Sequence, residues 1–252
     1  MTNNWSLNGF FDPAQTTGLY EAIARRESTR LFCSAPGTEQ WNALLSAADE
    51  LALPGVRIAL GMCENSLFQP MLGLLMKFEN VQRFAAVIVQ DAQPQSVVNA
   101  GVSGEMFLLR AVELGLGGCW VSGTFKRGQV GIHLAEGEKL LALIALGVPK
   151  HPPVPPLTRK RKDMAAICPE FDALKPALRE VAEHVRIAPS AMNMQPWRFT
   201  MVSDSSVTLA VALPALRLDL GIALSHAVLA LGTTPALFAL DDTALVASIE
   251  LL

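Results

Sequence analysis

The chain has 252 residues, enough for one large domain or two small ones with a substantial buried core. Hydrophobic residues make up 51%, charged residues 17%, and the net charge is -3 at pH 7, so there is no broad basic surface and nucleic acid is not an expected partner. No uninterrupted apolar run reaches the roughly 18–20 residues of a membrane span, so no membrane partner is expected. The stretch from Leu218 to Leu240 comes nearest, but Asp219, Ser225, His226, Gly232 and Pro235 interrupt it, and it reads as a buried helix followed by a turn. The N-terminus, MTNNWSLNGFFDP, lacks the basic-then-apolar pattern of a signal peptide. Cys33, Cys63, Cys119 and Cys168 lie far apart, with no CxxC pair and no Cys/His metal spacing. Reduced cysteines, a cytoplasmic location and no metal site are the expectation.

In chain order, Thr17 to Glu27 has helical apolar spacing at Leu19 and Ile23 and ends in ARRESTRLF. Thr38 is the expected N-cap of a second helix carrying Trp41 to Leu51, which Pro54-Gly55 stops. Val56 to Leu60 and Ala85 to Val89 read as short buried strands. Asn99 to Leu116 reads as a long helix with Met106, Leu108, Leu109, Val112 and Leu116 on its apolar side, stopped at Gly117-Gly118. Cys119 to Val121 is strand-like, and Leu140 to Leu146 is a strong strand candidate closed by Gly147.

His151 to Lys162, HPPVPPLTRKRK, is rich in proline and basic residues and cannot continue a helix or a central strand. It divides the chain into 1–158 and 159–252. Beyond it a helix is expected from about Phe171 to Ile187, then a loop to Gln195, a strand from Trp197 to Val202, a strand near Val207 to Val211, and a helix from about Asp219 to Leu231. Each part runs from a helix through a short Pro-containing loop (Leu53-Pro54-Gly55, then Ala188-Pro189-Ser190) into a strand. Each then reaches a helix of similar text, GVSGEMFLLRAVELGLG and LGIALSHAVLALG. This is a faint internal repeat, with chance similarity between generic elements as the alternative.

Three segments carry candidate chemistry. Arg25, Arg26 and Arg30 cluster around Ser28, and Arg159, Lys160, Arg161 and Lys162 form a second basic run. Guanidinium forks and a hydroxyl suit a phosphate monoester, although a solvated basic face is the more common explanation of such clusters alone. The loop APSAMNMQPW is framed by Pro189 and Pro196 and presents Ser190, Asn193 and Gln195 between Met192 and Met194. That mixture suits a planar heterocycle with polar edges, and backbone capping by Asn193 and Gln195 is its structural alternative. In Gly115 to Phe125, GLGGCWVSGTF, the glycines permit close backbone approach and a strand end leaves N–H groups free, with a helix C-cap and a buried strand whose glycines serve only turns as the alternative.

Together these segments resemble the nitroreductase family. The family's RRSxRxF-like motif is matched by Arg26-Glu27-Ser28-Thr29-Arg30-Leu31-Phe32 except at Glu27, and its APSxxNxQPWxF loop by Ala188 to Phe199 at nearly every position. A helix ending in LGLG before a strand matches Leu114 to Gly123, and a strand ending in LG with a basic pair beyond it matches Leu143 to Arg161. The resemblance implies an α+β fold of mixed or antiparallel sheets flanked by helices. It implies FMN as cofactor, NAD(P)H as electron donor, and ping-pong hydride transfer to a small nitroaromatic- or quinone-like acceptor. In this order of motifs the chain departs from ordinary members, which are homodimers and carry the APS loop soon after the RRS motif. Here Arg26 and Asn193 stand 167 residues apart (193 − 26), and the early equivalent reads ALPGVRIALGM. The resemblance is to a branch with two shortened half-subunits fused into a pseudo-dimer with one complete site. A monomer then suffices, while the apolar composition leaves room for a homodimer.

Carried over residue by residue, the resemblance puts Arg26, Ser28, Arg159 and Arg161 on the FMN phosphate and Arg30 near N1 and O2 of the ring. Pro189, Ser190 and Asn193 line the ring and ribityl side, and Val121, Ser122 and Gly123 supply a backbone donor at N5. No side chain is required as a general acid, and none is named catalytic. Asp219 and His226 receive no role beyond hydrogen bonding in the core. Two other readings stay open at this point: an FMN-binding sensor or carrier without efficient turnover, and a degenerate structural or interaction protein.

Overall fold

The computed structural model describes residue 7 and residues 13–68, 77–91, 93–154 and 159–252. The chain forms α1 (Pro13–Arg25), β1 (Phe32–Ser34), α2 (Thr38–Glu50), β2 (Val56–Met62), β3 (Arg83–Val89), α3 (Pro94–Glu113), β4 (Gly117–Val121) and β5 (Lys139–Pro149). It continues with α4 (Met164–Ile167), α5 (Pro176–Ile187), β6 (Arg198–Ser203), β7 (Ser206–Ala210), α6 (Arg217–Leu231), β8 (Ala236–Leu240) and β9 (Val246–Leu251). The named strands pair antiparallel throughout.

Two sheets flank a pair of central helices. In the first sheet β5 pairs with β3, β4 and β1, and β2 pairs with β3. The second sheet has the order β6-β7-β9-β8. Setting β1 aside, the first reads β4-β5-β3-β2, so β2, β3, β4 and β5 hold the places that β6, β7, β8 and β9 hold in the second. The element order is the same as well: helix, two strands, helix, two strands.

The central helices α3 and α6 are apolar around most of their circumference, as fully buried helices are. They cross where two glycines face each other. A Cβ added at Gly101 would lie 2.3 Å from the Leu218 carbonyl oxygen, and one at Gly221 would lie 2.0 Å from that of Val98. The contact is reciprocal, with both counterparts 120 residues on (218 − 98 and 221 − 101), as across a two-fold axis. Alternation along β3 puts Ala85, Val87 and Val89 in the main core with these helices and Phe84, Ala86 and Ile88 in a second cluster behind the sheet. Pro214–Leu231 is long and apolar enough by length and composition alone to cross a membrane, but 61% of it is buried inside the fold, as a core helix is.

Several local expectations change: α3 starts at Pro94, five residues before the expected Asn99, and α5 at Pro176, five after the expected Phe171. The α2 N-cap is Gly37, whose N–H donates to Gln40 Oε1, and Thr38 is already helical. The long helix stops at Gly115, with φ +80°, rather than at Gly117-Gly118, which already belong to β4. Its cap bonds run from Leu114 N to Arg110 O and from Leu116 N to Ala111 O, and the left-handed turn needs a residue without Cβ. The hairpin β8–β9, absent from the sequence reading, completes the second sheet. Within the Pro-rich divider, 155–158 lie outside the described residues.

Candidate functional site

The two distant motifs meet at one backbone carbonyl. Arg26 follows α1, and its Nη2 donates to Ile187 O at 3.2 Å. Arg161, beyond the divider, donates from Nη2 to the same oxygen at 3.0 Å. Ile187 ends α5 and leads into Ala188-Pro189-Ser190, so the start of the APS loop is gripped from both sides.

The loop itself is held in an unusual backbone. Met192, Asn193 and Gln195 have φ of 52°, 56° and 46°, left-handed values that cost side-chain-bearing residues about 1–3 kcal/mol each. Its own bonds run from Gln195 N to Ser190 Oγ at 2.8 Å and from Asn193 N to Ser190 O at 3.0 Å. The basic run supplies the rest. Lys162 N donates to Gln195 Oε1 at 2.8 Å and Lys162 Nζ to Gln195 O at 3.0 Å. Asn193 Nδ2 donates to Lys160 O at 3.1 Å, and Arg161 Nη1 donates to Asn193 Oδ1 at 3.2 Å. Asp219 Oδ1 accepts from Ala191 N at 3.0 Å. Burial of Asp219 pushes its carboxyl above the usual aspartate value, against the opposing pull of that bond. Met192 and Met194 remain exposed at 75% and 47%, presenting apolar surface on a loop that cannot easily rearrange.

Behind the loop lies a fully buried ionic network. Glu105 of α3 sits 3.3 Å from Arg26 Nε and 3.2 Å from His226 Nε2, both at Oε1, and its Oε2 accepts from Trp120 Nε1 at 2.7 Å. The Arg26 Nε contact is an ion pair without hydrogen-bond alignment. Burial opposes the charge on Glu105, yet Arg26 and the His226 and Trp120 bonds together hold its carboxyl below the ordinary range. Burial lowers the affinity of His226 for a second proton, although Glu105 works the other way. His226 Nδ1 lies 3.0 Å from His184 O, so both ring nitrogens face acceptors.

The expected ligands are distributed unevenly. Arg26 is only 1% exposed and turned to Glu105 rather than outward. Arg159, expected at a phosphate, donates instead to the carbonyls of Val154, Ala24 and Arg26, closing the C-terminus of α1. Glu27 accepts from Val154 N at 2.9 Å and lies near Arg159. Ser28 pairs with Gly118 as an isolated bridge, and with Arg30 it faces the Cys119 thiol, which burial pushes up and these neighbours oppose. Val121 is buried at the end of β4, and Ser122 and Gly123 follow it exposed, with nothing within 4 Å of where a Gly123 Cβ would be. Pro189 is buried and Ser190 half-buried. The structure thus joins Arg26, Arg161, Pro189, Ser190 and Asn193 at one corner. Ser28, Arg30 and the β4 end form a second group, linked to that corner through Trp120, Glu105 and Arg26.

Fit to a phosphorylated cofactor is tested by the donors left over. The Nε groups of Arg30, Arg161 and Arg186 are buried without a hydrogen-bond acceptor among the described residues. Buried guanidinium donors without acceptors are costly, and oxyanions and ring acceptors such as those of FMN would complete them. The residues fit the group.

Comparison with known proteins agrees with the fold and motifs. The family described as "Putative TM nitroreductase" matches residues 18–231, and the chain belongs to that family. The fold is that of a putative nitroreductase from Thermotoga maritima, with a TM-score of 0.66 at 20% identity over 92% of this chain and 93% of that one. More distant are nitroreductase A from Vibrio parahaemolyticus (TM-score 0.45, 21% identity, 60% of this chain and 74% of that one) and an FMN-dependent nitroreductase from Clostridium difficile (0.41, 16%, 53% and 89%). None of the curated proteins compared matches the sequence.

Proposed function

We propose that the chain is an FMN-dependent NAD(P)H oxidoreductase of nitroreductase type, acting on small nitroaromatic- or quinone-like acceptors. The observation that carries this reading is the meeting of Arg26, Arg161 and the strained APS loop at Ile187 O beside buried guanidinium donors that lack acceptors. FMN, when bound, supplies two-electron transfer between donor and acceptor. The chain's residues bind and orient it. Arg161 and Asn193 serve the phosphate and ribityl side, with Pro189 and Ser190 shaping the wall. Arg30, with Ser28 beside it, places positive charge where a reduced ring is anionic, and the exposed backbone of Ser122 and Gly123 offers donors to the ring edge. Met192 and Met194 give an apolar surface suited to a flat acceptor.

The repeated element order, the matching strand orders and the reciprocal Gly101–Gly221 crossing support a further part of the proposal: two fused half-subunits forming one site in a monomer. The halves also pin equivalent loops from equivalent positions. Asn99 Nδ2 donates to Pro54 O at 2.9 Å, and Asp219, 120 residues later (219 − 99), accepts from Ala191 N.

The visible spectrum of the purified protein tests the cofactor, followed by FMN titration of any colourless fraction. Oxidised-flavin absorption and steady NAD(P)H oxidation with an added quinone are expected. Protein that neither carries nor takes up FMN would refute the reading, and flavin without turnover would leave a carrier.

A further inference from the structure

The basic corner holds more positive charge than its acidic residues offset. Arg26 is matched by Glu105. Arg159 has its donors on three carbonyls and Glu27 nearby. Arg161 and Arg186 have no carboxylate partner among the described residues, and both have a buried Nε without an acceptor. Arg186 lies in the last turn of α5, one residue before the carbonyl that Arg26 and Arg161 share. Burial, then repulsion from Arg26, Arg159 and Arg186, lowers Arg161 to about 10, so Arg186 is electrostatically coupled to it.

Why would a fold keep two such guanidinium groups side by side? An anion of matching charge would relieve the repulsion between them. A phosphate monoester carries nearly two negative charges at neutral pH and three strong acceptor oxygens. Two planar guanidinium forks are the side chains best matched to it. Arg161 also donates through its Nη groups to Lys160 O, Asn193 Oδ1 and Ile187 O, but unlike Arg26 with Glu105 and Arg159 with Glu27 it has no carboxylate beside it, so the unbalanced charge lies on Arg161 and Arg186.

We propose that Arg186, together with Arg161, is the phosphate clamp of this site. The proposal rests on the FMN reading and changes its assignment: Arg26 and Arg159 organise the corner from behind, and Arg186, which no family motif singled out, takes the anion.

The test compares FMN with riboflavin, which is the same ring and ribityl chain without phosphate, by fluorescence quenching on the apoprotein. Wild type is expected to prefer FMN, and inorganic phosphate is expected to compete with FMN but not with riboflavin. Arg186→Gln should weaken FMN binding about tenfold to a hundredfold, as loss of a charge-assisted hydrogen bond does, and leave riboflavin binding within about twofold of wild type. Arg186→Lys, which keeps the charge and loses the fork, should fall between. An FMN-to-riboflavin preference unchanged in both variants would overturn the clamp. So would equal losses for the two ligands, since that signals a damaged pocket. If wild type binds neither ligand, the cofactor reading itself fails, and the two failures are thereby distinguished.

Discussion

Glu105→Gln tests the buried network that aligns the two halves of the site. Glu105 and His226 are fully buried and Arg26 nearly so. The isosteric amide keeps an oxygen for one contact but removes the only carboxylate within ion-pair distance of Arg26 among the described residues. Removing one partner of a buried pair leaves the other charge uncompensated and costs about 3–5 kcal/mol. Against a total stability of about 5–15 kcal/mol for a domain, that is a large fraction. Urea denaturation of the apoprotein reads it as a lower midpoint at unchanged slope. The exposed Lys175–Asp204 pair, 3.8 Å apart, is the internal control, and Asp204→Asn should cost less than about 1 kcal/mol. A Glu105→Gln loss no larger than that control would refute the argument. Replacing both partners, as in Arg26→Met with Glu105→Gln, should recover part of the loss, because no unpaired charge then remains.

Three more outcomes follow from the geometry. Gly101→Ala drives a Cβ to 2.3 Å from the Leu218 carbonyl oxygen, and because that obstacle is backbone it should cost about 1–3 kcal/mol or more in thermal denaturation; a neutral substitution would mean the helices are not locked there. Asp219→Ala removes the acceptor for Ala191 N and should weaken FMN binding and lower the melting temperature, while Asp219→Asn keeps an acceptor without the buried charge and should equal or exceed wild-type stability at pH 7. Glu138 is held down to about 2 by hydrogen bonds from Arg57 and the Ala135 backbone. Its folded value is below its unfolded value, so its contribution is present above about pH 4.5 and is lost as pH falls towards 2. Acid titration of Glu138→Gln should therefore show less loss over that window than wild type.

Much of the chain could be read from its pattern. The central helix α3 announced itself by an apolar run from Asn99 to a glycine stop, and β3 and β5 by dense aliphatic runs. The second sheet was half-read: β6 and β7 were found, but β8 was absorbed into the Leu218–Leu240 run read as a helix and turn, and β9 escaped with it because their turn is set by Asp241, which accepts from Leu245 N and Val246 N. The APS loop was legible because its polar and Pro pattern is dense and local. Glu105 was not, because a single acid in an apolar helix gains meaning only when Arg26, Trp120 and His226 arrive from elements far away in sequence. Arg186 was hidden for a related reason. On α5 it resembles any solvated helix-end arginine, and what distinguishes it is a buried Nε with no acceptor among the described residues.

The strain in the loop links these observations. Three left-handed residues within Met192 to Gln195 persist only if the surroundings determine them. The surroundings are Lys162, Arg161 and Lys160 on one side and Asp219 on the other, each through hydrogen bonds that a shifted loop would lose. All of these holds come from the chain's own residues, so the loop is expected to be formed before anything binds. A preformed loop avoids the entropy of ordering on binding. It therefore follows that loosening it, as Asp219→Ala does, should slow ligand dissociation in no case and should raise the dissociation rate before it changes the association rate. Stopped-flow FMN binding separates the two rates. A variant in which only association slowed would mean that the loop is built by the ligand rather than waiting for it.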